Sequence, residues 1–381
     1  MVKKVLFVVN RLDFSGGEQK VLTQIAQELS KSNSVEVYSM KKSQQITYPL
    51  TDIKITYGIK KYTEPVRKAL RAFEILENRL GIEQSWYTID DYRQEKLLLE
   101  YIQNYKFDIV FFSGGHTYKY LSAIKKKLPN IRMYAWLHYS AEQDLSRKIK
   151  QNKEMMGVAD GVISLTKPDA DWIKKFTDRS YYIYNPVTIE NIGCSSLEEK
   201  VISFVGRIDE KQKGVDLLVE VAKNLPEGWS IKVAGTGHDS AVRKFTKEIE
   251  DNSLSDRLIY EGFKSGKELQ KHYFNSSIYL MTSRFEGFGL VLVEAMSYGL
   301  PIVAFDQQAS RVVLENGRYG LIAKMEDIKD MSEKIKLLTD DVKLRKEYSR
   351  LSLERSQQFD MAAVIEKWTQ LINNNKVTYR I

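Results

Sequence analysis

The sequence predicts an α/β protein made of two units, each a parallel sheet wound by helices. Short apolar runs of strand length alternate with helical patterns along almost the whole chain. That alternation stops once, at IENIGCSSLEEK (189–200), which is small, polar and aperiodic, and then restarts. The 381 residues are enough for two cores of ordinary size.

The first unit opens on MVKKVLFVVNRL, whose charged start and apolar run imitate a signal peptide. The run is short and an Arg ends it, so VLFVVN (5–10) reads as a first strand. A turn with Gly16 and Gly17 leads into the amphipathic helix EQKVLTQIAQELSKS, then the strand SVEVYSM. IKKYTEPVRKALRAFEILENRLG (59–81) reads as one or two amphipathic helices with Arg67, Lys68 and Arg71 on the polar side. FDIVFFSG (107–114) is a buried strand, YLSAIKKKLP a helix stopped by proline, and IRMYAWLH a strand ending at His138. ADGVISLT and YYIYNPV complete the set. In the second unit VISFVGRID is a strand, GVDLLVEVAKNLP a helix and SIKVAGTG a strand. RLIYEGF, SIYLMTS and PIVAFD follow with helices between, and FDMAAVIEKWTQLINNN (359–375) is a terminal amphipathic helix.

Composition narrows the function. A hydrophobic fraction of 43% and a charged fraction of 28% fit a soluble globular chain, and no apolar run approaches the roughly 20 residues of a membrane span. Cys194 is the only cysteine, which excludes a disulfide framework within the chain and fits a cytoplasmic home. The net charge of +8 is uneven: residues 1–195 hold 30 Lys and Arg against 22 Asp and Glu, so the first half carries all the excess. A basic half points to an anionic partner, either acidic lipid headgroups or a phosphorylated substrate. Nucleic acid fits less well, because no nucleic-acid motif is present. Lys125, Lys126 and Lys127, on a helix, add to the basic half as a solvated face.

The densest chemistry lies in SRFEGFGLVLVEAMSYGLPIVAFD (283–306). RFEGFG is the loop at the carboxyl end of a strand, where open parallel sheets bind ligands. The next helix ends at Gly299, and its start offers the N–H groups of Phe288, Gly289 and Leu290 to a phosphate. Glu286 and Glu294 suit neutral hydroxyl groups, since carboxylates accept paired hydrogen bonds from sugars. As ordinary surface positions they would need no ligand, but LVLVEAM leaves Glu294 among apolar neighbours. Arg207 just after a strand, and Lys213 at a helix start, can neutralise a diphosphate.

These residues resemble the GT-B glycosyltransferases of family 4, which retain anomeric configuration. The resemblance spans nearly the whole chain and is densest over 201–303, with Glu286, seven residues and Glu294 as its core. It implies two Rossmann-like domains facing across a cleft: an acceptor domain over 1–188, completed by the C-terminal 359–381, and a nucleotide-sugar donor domain over 196–358. It assigns Glu286 and His138 to the transferred sugar and Glu294 to the ribose. It assigns the amides of Phe288, Gly289 and Leu290 to sugar and phosphates, and Arg207 and Lys213 to the diphosphate. Gly16, Gly17 and Gly235 lie near the donor. The implied activity needs no metal or other cofactor: a sugar passes from a nucleotide-sugar, UDP-sugar favoured, to a glycan, in bacterial cell-surface polysaccharide assembly. The acceptor is expected to be lipid-linked, which would bring the basic first domain to the inner face of an anionic membrane. QQASRVVLENG departs from the family after PIVAFD, which puts donor contacts around Gln307 to Arg311 in doubt.

Weaker signals point elsewhere. VAGTGHDS (233–240) lacks the third glycine of a dinucleotide loop. Asp169 and Asp171 imitate a D-x-D metal motif but fall in a helical stretch, read as helix surface. His116, His238 and His272 are scattered and read as structural. Two rival functions remain: a nucleotide-sugar epimerase of similar fold, acting without an acceptor, and a catalytically silent subunit. The intact Glu286–Glu294 pair with Arg207 and Lys213 argues against silence.

Overall fold

The computed structural model describes residues 2–13, 16–43, 46–59, 68, 72, 89–146, 149–374 and 377. The chain divides into two compact units, Met1–Ile183 with Ile365–Ile381, and Tyr184–Val364.

The first unit holds seven strands: β1 (Lys4–Val9), β2 (Ser34–Lys41), β3 (Lys54–Ile59), β4 (Ile109–Ser113), β5 (Arg132–Trp136), β6 (Gly161–Ser164) and β7 (Ser180–Tyr182). Their order is β3-β2-β1-β4-β5-β6-β7, and every pairing is parallel. Val5 to Val8 and Ile109 to Phe112 are wholly buried, as expected of central strands covered on both faces. The order reverses between β1 and β4, so the loops after these two strands flank a crevice at the carboxyl edge.

Several elements differ from the sequence reading. β3 and the helices Ile89–Tyr105, Ala141–Ser146 and Ile149–Val158 were not read as elements. β3 is an edge strand whose Lys54 and Thr56 alternate with apolar residues, too weak a pattern in six residues. The helix placed over YLSAIKKKLP begins earlier, at Gly115, because Gly114 takes the left-handed φ of 78° that starts it. Of the stretch 59–81 only Ile59, which ends β3, and residues 68 and 72 are described; Arg67 and Arg71 lie outside the described residues, and Lys68 is an exposed helical residue.

The second unit holds β8 (Val201–Val205), β9 (Ser230–Ala234), β10 (Leu258–Gly262), β11 (Ile278–Met281), β12 (Ile302–Phe305) and β13 (Leu321–Ala323), ordered β10-β9-β8-β11-β12-β13 and again all parallel. The reversal here falls between β8 and β11. A second core, with Phe204, Leu218, Ile231, Leu280 and Phe305, fills this unit independently of the first.

The helix Met361–Ile372 begins in the second unit and ends in the first. Its Trp368 is wholly buried, with its ring 4.7 Å from Trp136, 5.1 Å from Phe111 and 6.2 Å from Phe7. Arg132 donates to the carbonyls of Leu371 and Ile372 at 3.3 and 2.6 Å. Removing so large a buried ring costs about 3–5 kcal/mol in comparable cores.

Candidate active site

In the second unit the two loops beside the β8–β11 reversal are stitched together. The Thr282 hydroxyl donates to the Lys213 carbonyl at 2.9 Å, and the Arg284 N–H to the Gln212 carbonyl at 2.8 Å. Gly214 has φ 62°, and a Cβ there would lie 2.3 Å from the Thr282 carbonyl oxygen, so no other residue fits. Arg284 forms a bidentate pair with Asp216 at 2.9 and 2.7 Å. That pair fixes the loop carrying Glu286.

The stitching brings Lys213 and Glu286 together. Lys213 Nζ lies 2.5 Å from Glu286 Oε1, with side chains 13% and 9% exposed, and the Ser283 hydroxyl donates to the same oxygen at 2.7 Å. The sequence had placed Lys213 at a helix start and against a phosphate. It ends the short helix Glu210–Lys213, directly before Gly214 and the helix Val215–Lys223, and its side chain pairs here with Glu286. Arg207 is exposed just past β8 and bonds to the Gln212 side chain. Around φ 80° at Gly289 the chain turns into the helix Leu290–Ser297. The N–H groups of Phe288, Gly289 and Leu290 have no acceptor among the described residues.

Glu294 is buried, 3% exposed, within that helix. It accepts from the Thr188 hydroxyl at 2.6 Å and from the Tyr273 hydroxyl at 3.2 Å. Burial, then the carboxylate itself, pushes the Tyr273 hydroxyl well up, so it stays a donor. Neither partner was singled out from sequence, because both hydroxyls sit far along the chain from Glu294.

Gly235 is explained by packing. A Cβ there would lie 1.7 Å from the Gly206 carbonyl oxygen, so the glycine lets the chain ends after β8 and β9 touch.

In the first unit the crevice between β1 and β4 gathers a different set. Gly16 has extended backbone and caps the helix Gly17–Ser30, whose second residue is Glu18. Ser113 ends β4, and His138 lies two residues past β5. The Ser113 hydroxyl is 2.8 Å from His138 Nε2 and 3.5 Å from Glu18 Oε1. Burial pushes the His138 imidazole down to about 3, so the ring is neutral at ordinary pH. Burial, reinforced by Asp144, pushes the Glu18 carboxyl up to about 7. Glu18, Ser113 and Asp144 were not singled out from sequence. The one available signal was an acidic residue directly after a glycine pair, which also suits a helix first turn.

Other polar clusters are structural. Ser203 Oγ lies 2.9 Å from His272 Nε2, and His272 Nδ1 lies 2.9 Å from Glu261, the connectivity of a nucleophilic triad. Ser203 is wholly buried in β8, however, and has no access to substrate. Asp169, read as helix surface, is 3% exposed and accepts from the Ala141 N–H at 2.8 Å. Asp171 is the exposed member, paired with Lys167 and Lys174. The lysine run is not a bare basic face. Lys125 meets Asp160 at 2.6 Å, Lys126 meets Glu154 at 2.6 Å and Lys127 meets Glu95 at 2.7 Å. Among the described residues no helix is long and apolar enough to cross a membrane.

Comparison with known proteins agrees with this architecture. Residues 189–354 match the family described as glycosyl transferases group 1. An uncharacterised glycosyltransferase of Haemophilus influenzae is 26% identical over 97% of this chain and 100% of its own length. The amylovoran biosynthesis glycosyltransferase AmsD of Erwinia amylovora is 22% identical over 97% of this chain and 99% of its own. Among solved structures, Anabaena HepE in complex with UDP superposes with a TM-score of 0.76 at 14% identity, covering 97% of this chain and 100% of that one. The TarM crystal structure superposes with a TM-score of 0.75 at 18% identity, covering 98% and 99%. These matches support a glycosyltransferase: the chain has the GT-B fold, and its residues 189–354 match the glycosyl transferases group 1 family.

Proposed function

We propose that the protein is a retaining glycosyltransferase, independent of metal, that moves a sugar from a nucleotide-diphosphate donor to a glycan in bacterial cell-surface polysaccharide assembly. UDP-sugars are favoured as donors, in keeping with the UDP named in the HepE complex. The observation that carries the reading is the β8–β11 crevice: a cation–carboxylate pair, Lys213 with Glu286, beside three N–H groups that have no acceptor among the described residues.

The residues divide the work by charge. Arg207, Lys213 and the amides of Phe288, Gly289 and Leu290 offset the negative charge that grows on the leaving diphosphate. An incoming diphosphate competes with Glu286 for Lys213, which releases Glu286 to the hydroxyls of the transferred sugar. Glu294, held by Thr188 and Tyr273, accepts from the ribose. His138 serves the transferred sugar, and donor contact at Gly16, Gly17 and Gly235 belongs to the same proposal. No carboxylate nucleophile is invoked; the leaving phosphate takes the acceptor proton.

A panel of nucleotide-sugars with glycan acceptors, assayed for nucleoside diphosphate release with and without EDTA, tests this. Release stimulated by acceptor and indifferent to EDTA is expected. Epimerisation without acceptor, or a requirement for manganese or magnesium, contradicts it.

The acceptor is proposed to be lipid-linked, with the basic first half against an anionic leaflet. Because Lys125 to Lys127 meet carboxylates, such contact would rest on other exposed cations of the first half, among them Lys42, Lys68, Lys106, Lys150 and Lys175. Co-sedimentation with phosphatidylglycerol vesicles but not neutral ones, reversed by salt, is the expected result.

A further inference from the structure

The proposed function gives His138 a sugar to hold. It says nothing of how a buried neutral imidazole is made to present one defined nitrogen. A neutral imidazole has two tautomers, one with the proton on Nδ1 and one with it on Nε2, and the bond made by one nitrogen sets the role of the other. The two nitrogens of His138 differ sharply in surroundings. Nε2 lies 2.8 Å from Ser113 Oγ. Nδ1 is buried and has no hydrogen-bond partner among the described residues.

Ser113 Oγ carries one proton and stands between two candidate receivers, His138 Nε2 and Glu18 Oε1. Glu18 does not lie there by chance of rotamer. Its carboxyl rests over Gly114, where a Cβ would come within 2.6 Å of Oε1 and where φ is 78°. The strand end, the glycine and the helix start thus form one cradle around the hydroxyl. Oε1 can accept whether Glu18 is ionised or carries its proton on the other oxygen.

We propose that Ser113 and Glu18 are positioning residues for His138: Glu18 accepts the Ser113 proton, Ser113 Oγ accepts the His138 Nε2 proton, and Nδ1 is left as a lone pair. The inference rests on the proposed function for the identity of the ligand, and on the cradle for the tautomer. A lone pair at Nδ1 accepts a hydrogen bond and repels a bare phosphate oxygen. Any ligand group that meets Nδ1 is therefore a hydrogen-bond donor, such as a sugar hydroxyl, and not a bare phosphate oxygen.

The chain has only four histidines, so long-range nitrogen–proton NMR of protein labelled with ¹⁵N-histidine resolves each ring. The intact protein is expected to show His138 neutral with its proton on Nε2. Glu18→Ala returns the Ser113 proton to Nε2 and moves the ring toward the Nδ1-protonated form. Ser113→Ala abolishes the preference, and Ser113→Thr, which keeps the hydroxyl, restores it. In the transfer assay Ser113→Ala lowers kcat/KM about tenfold, the scale of one hydrogen bond, with UDP affinity unchanged. A His138 protonated on Nδ1 in the intact protein overturns the proposal without any variant. So does an unchanged ring in a folded Ser113→Ala protein. The NMR result stands apart from activity: an Nε2-protonated ring in a protein that transfers no sugar supports the relay and refutes the proposed function.

Discussion

The two carboxyl-edge crevices occupy equivalent places in their sheets and differ in the cations and N–H groups they hold. In the second unit two cations and backbone N–H groups, Arg207, Lys213 and the amides of Phe288 to Leu290, stand with the carboxyls of Glu286 and Glu294. In the first, the described groups are two carboxyls, a serine hydroxyl and a neutral imidazole. The same strand reversal lies beneath both. Only the residues hung on its loops decide whether an anion or a hydroxyl is welcome.

Lys213 offers the largest break in that contrast. Its pair with Glu286 is nearly buried, and removing one partner of a buried pair typically costs about 3–5 kcal/mol because the other charge is stranded. Lys213→Ala should lower the melting temperature and weaken UDP binding together. Thermal unfolding and calorimetric titration read both; normal UDP affinity in the variant would take Lys213 out of the anion site.

Glu18 sharpens the contrast from the other side. Its folded carboxyl is raised to about 7 from 4.5, so the folded state holds the proton more tightly than the unfolded one. The stability this gives is complete below pH 4.5 and is lost as pH rises through about 7. Glu18→Gln has no proton to lose, so its stability relative to the intact protein should climb across that window by on the order of 3 kcal/mol. Denaturant melts at the two ends of the window measure it. A difference independent of pH would mean that Glu18 is not held in a desolvated, carboxylate-rich setting.

Arg207 gives the smallest effect. It is exposed, so Arg207→Ala should leave stability alone while weakening UDP by roughly 1.5–3 kcal/mol, the worth of a hydrogen bond to a charged group. Loss of stability without loss of affinity would reverse that assignment.

Much of this was legible in the sequence, and what was not has a physical reason. Strands such as β1 (KVLFVV), β4 (IVFFS) and β12 (IVAF) are nearly continuous apolar runs, and such runs declare buried parallel strands without help from the rest of the chain. Glu294 stood out because a carboxylate among apolar neighbours demands partners. Which partners it had was hidden, since Thr188 and Tyr273 lie 106 and 21 residues away and meet it only through the fold. The Lys213–Glu286 pair was hidden for the same reason: it depends on Gly214 abutting Thr282, a contact across 68 positions of sequence. The lysine run misled because charge counting sees Lys125 to Lys127 and not the Asp160, Glu154 and Glu95 that meet them. Strand β3 was missed because an edge strand with alternating polar residues resembles a loop.

A crystal structure of the protein with UDP tests the division of charge most directly. The diphosphate should lie within hydrogen-bonding reach of Lys213 Nζ and the N–H groups of Phe288, Gly289 and Leu290, with the Lys213–Glu286 pair opened. A diphosphate bound away from the β8–β11 crevice, with that pair still closed at 2.5 Å, would contradict the division.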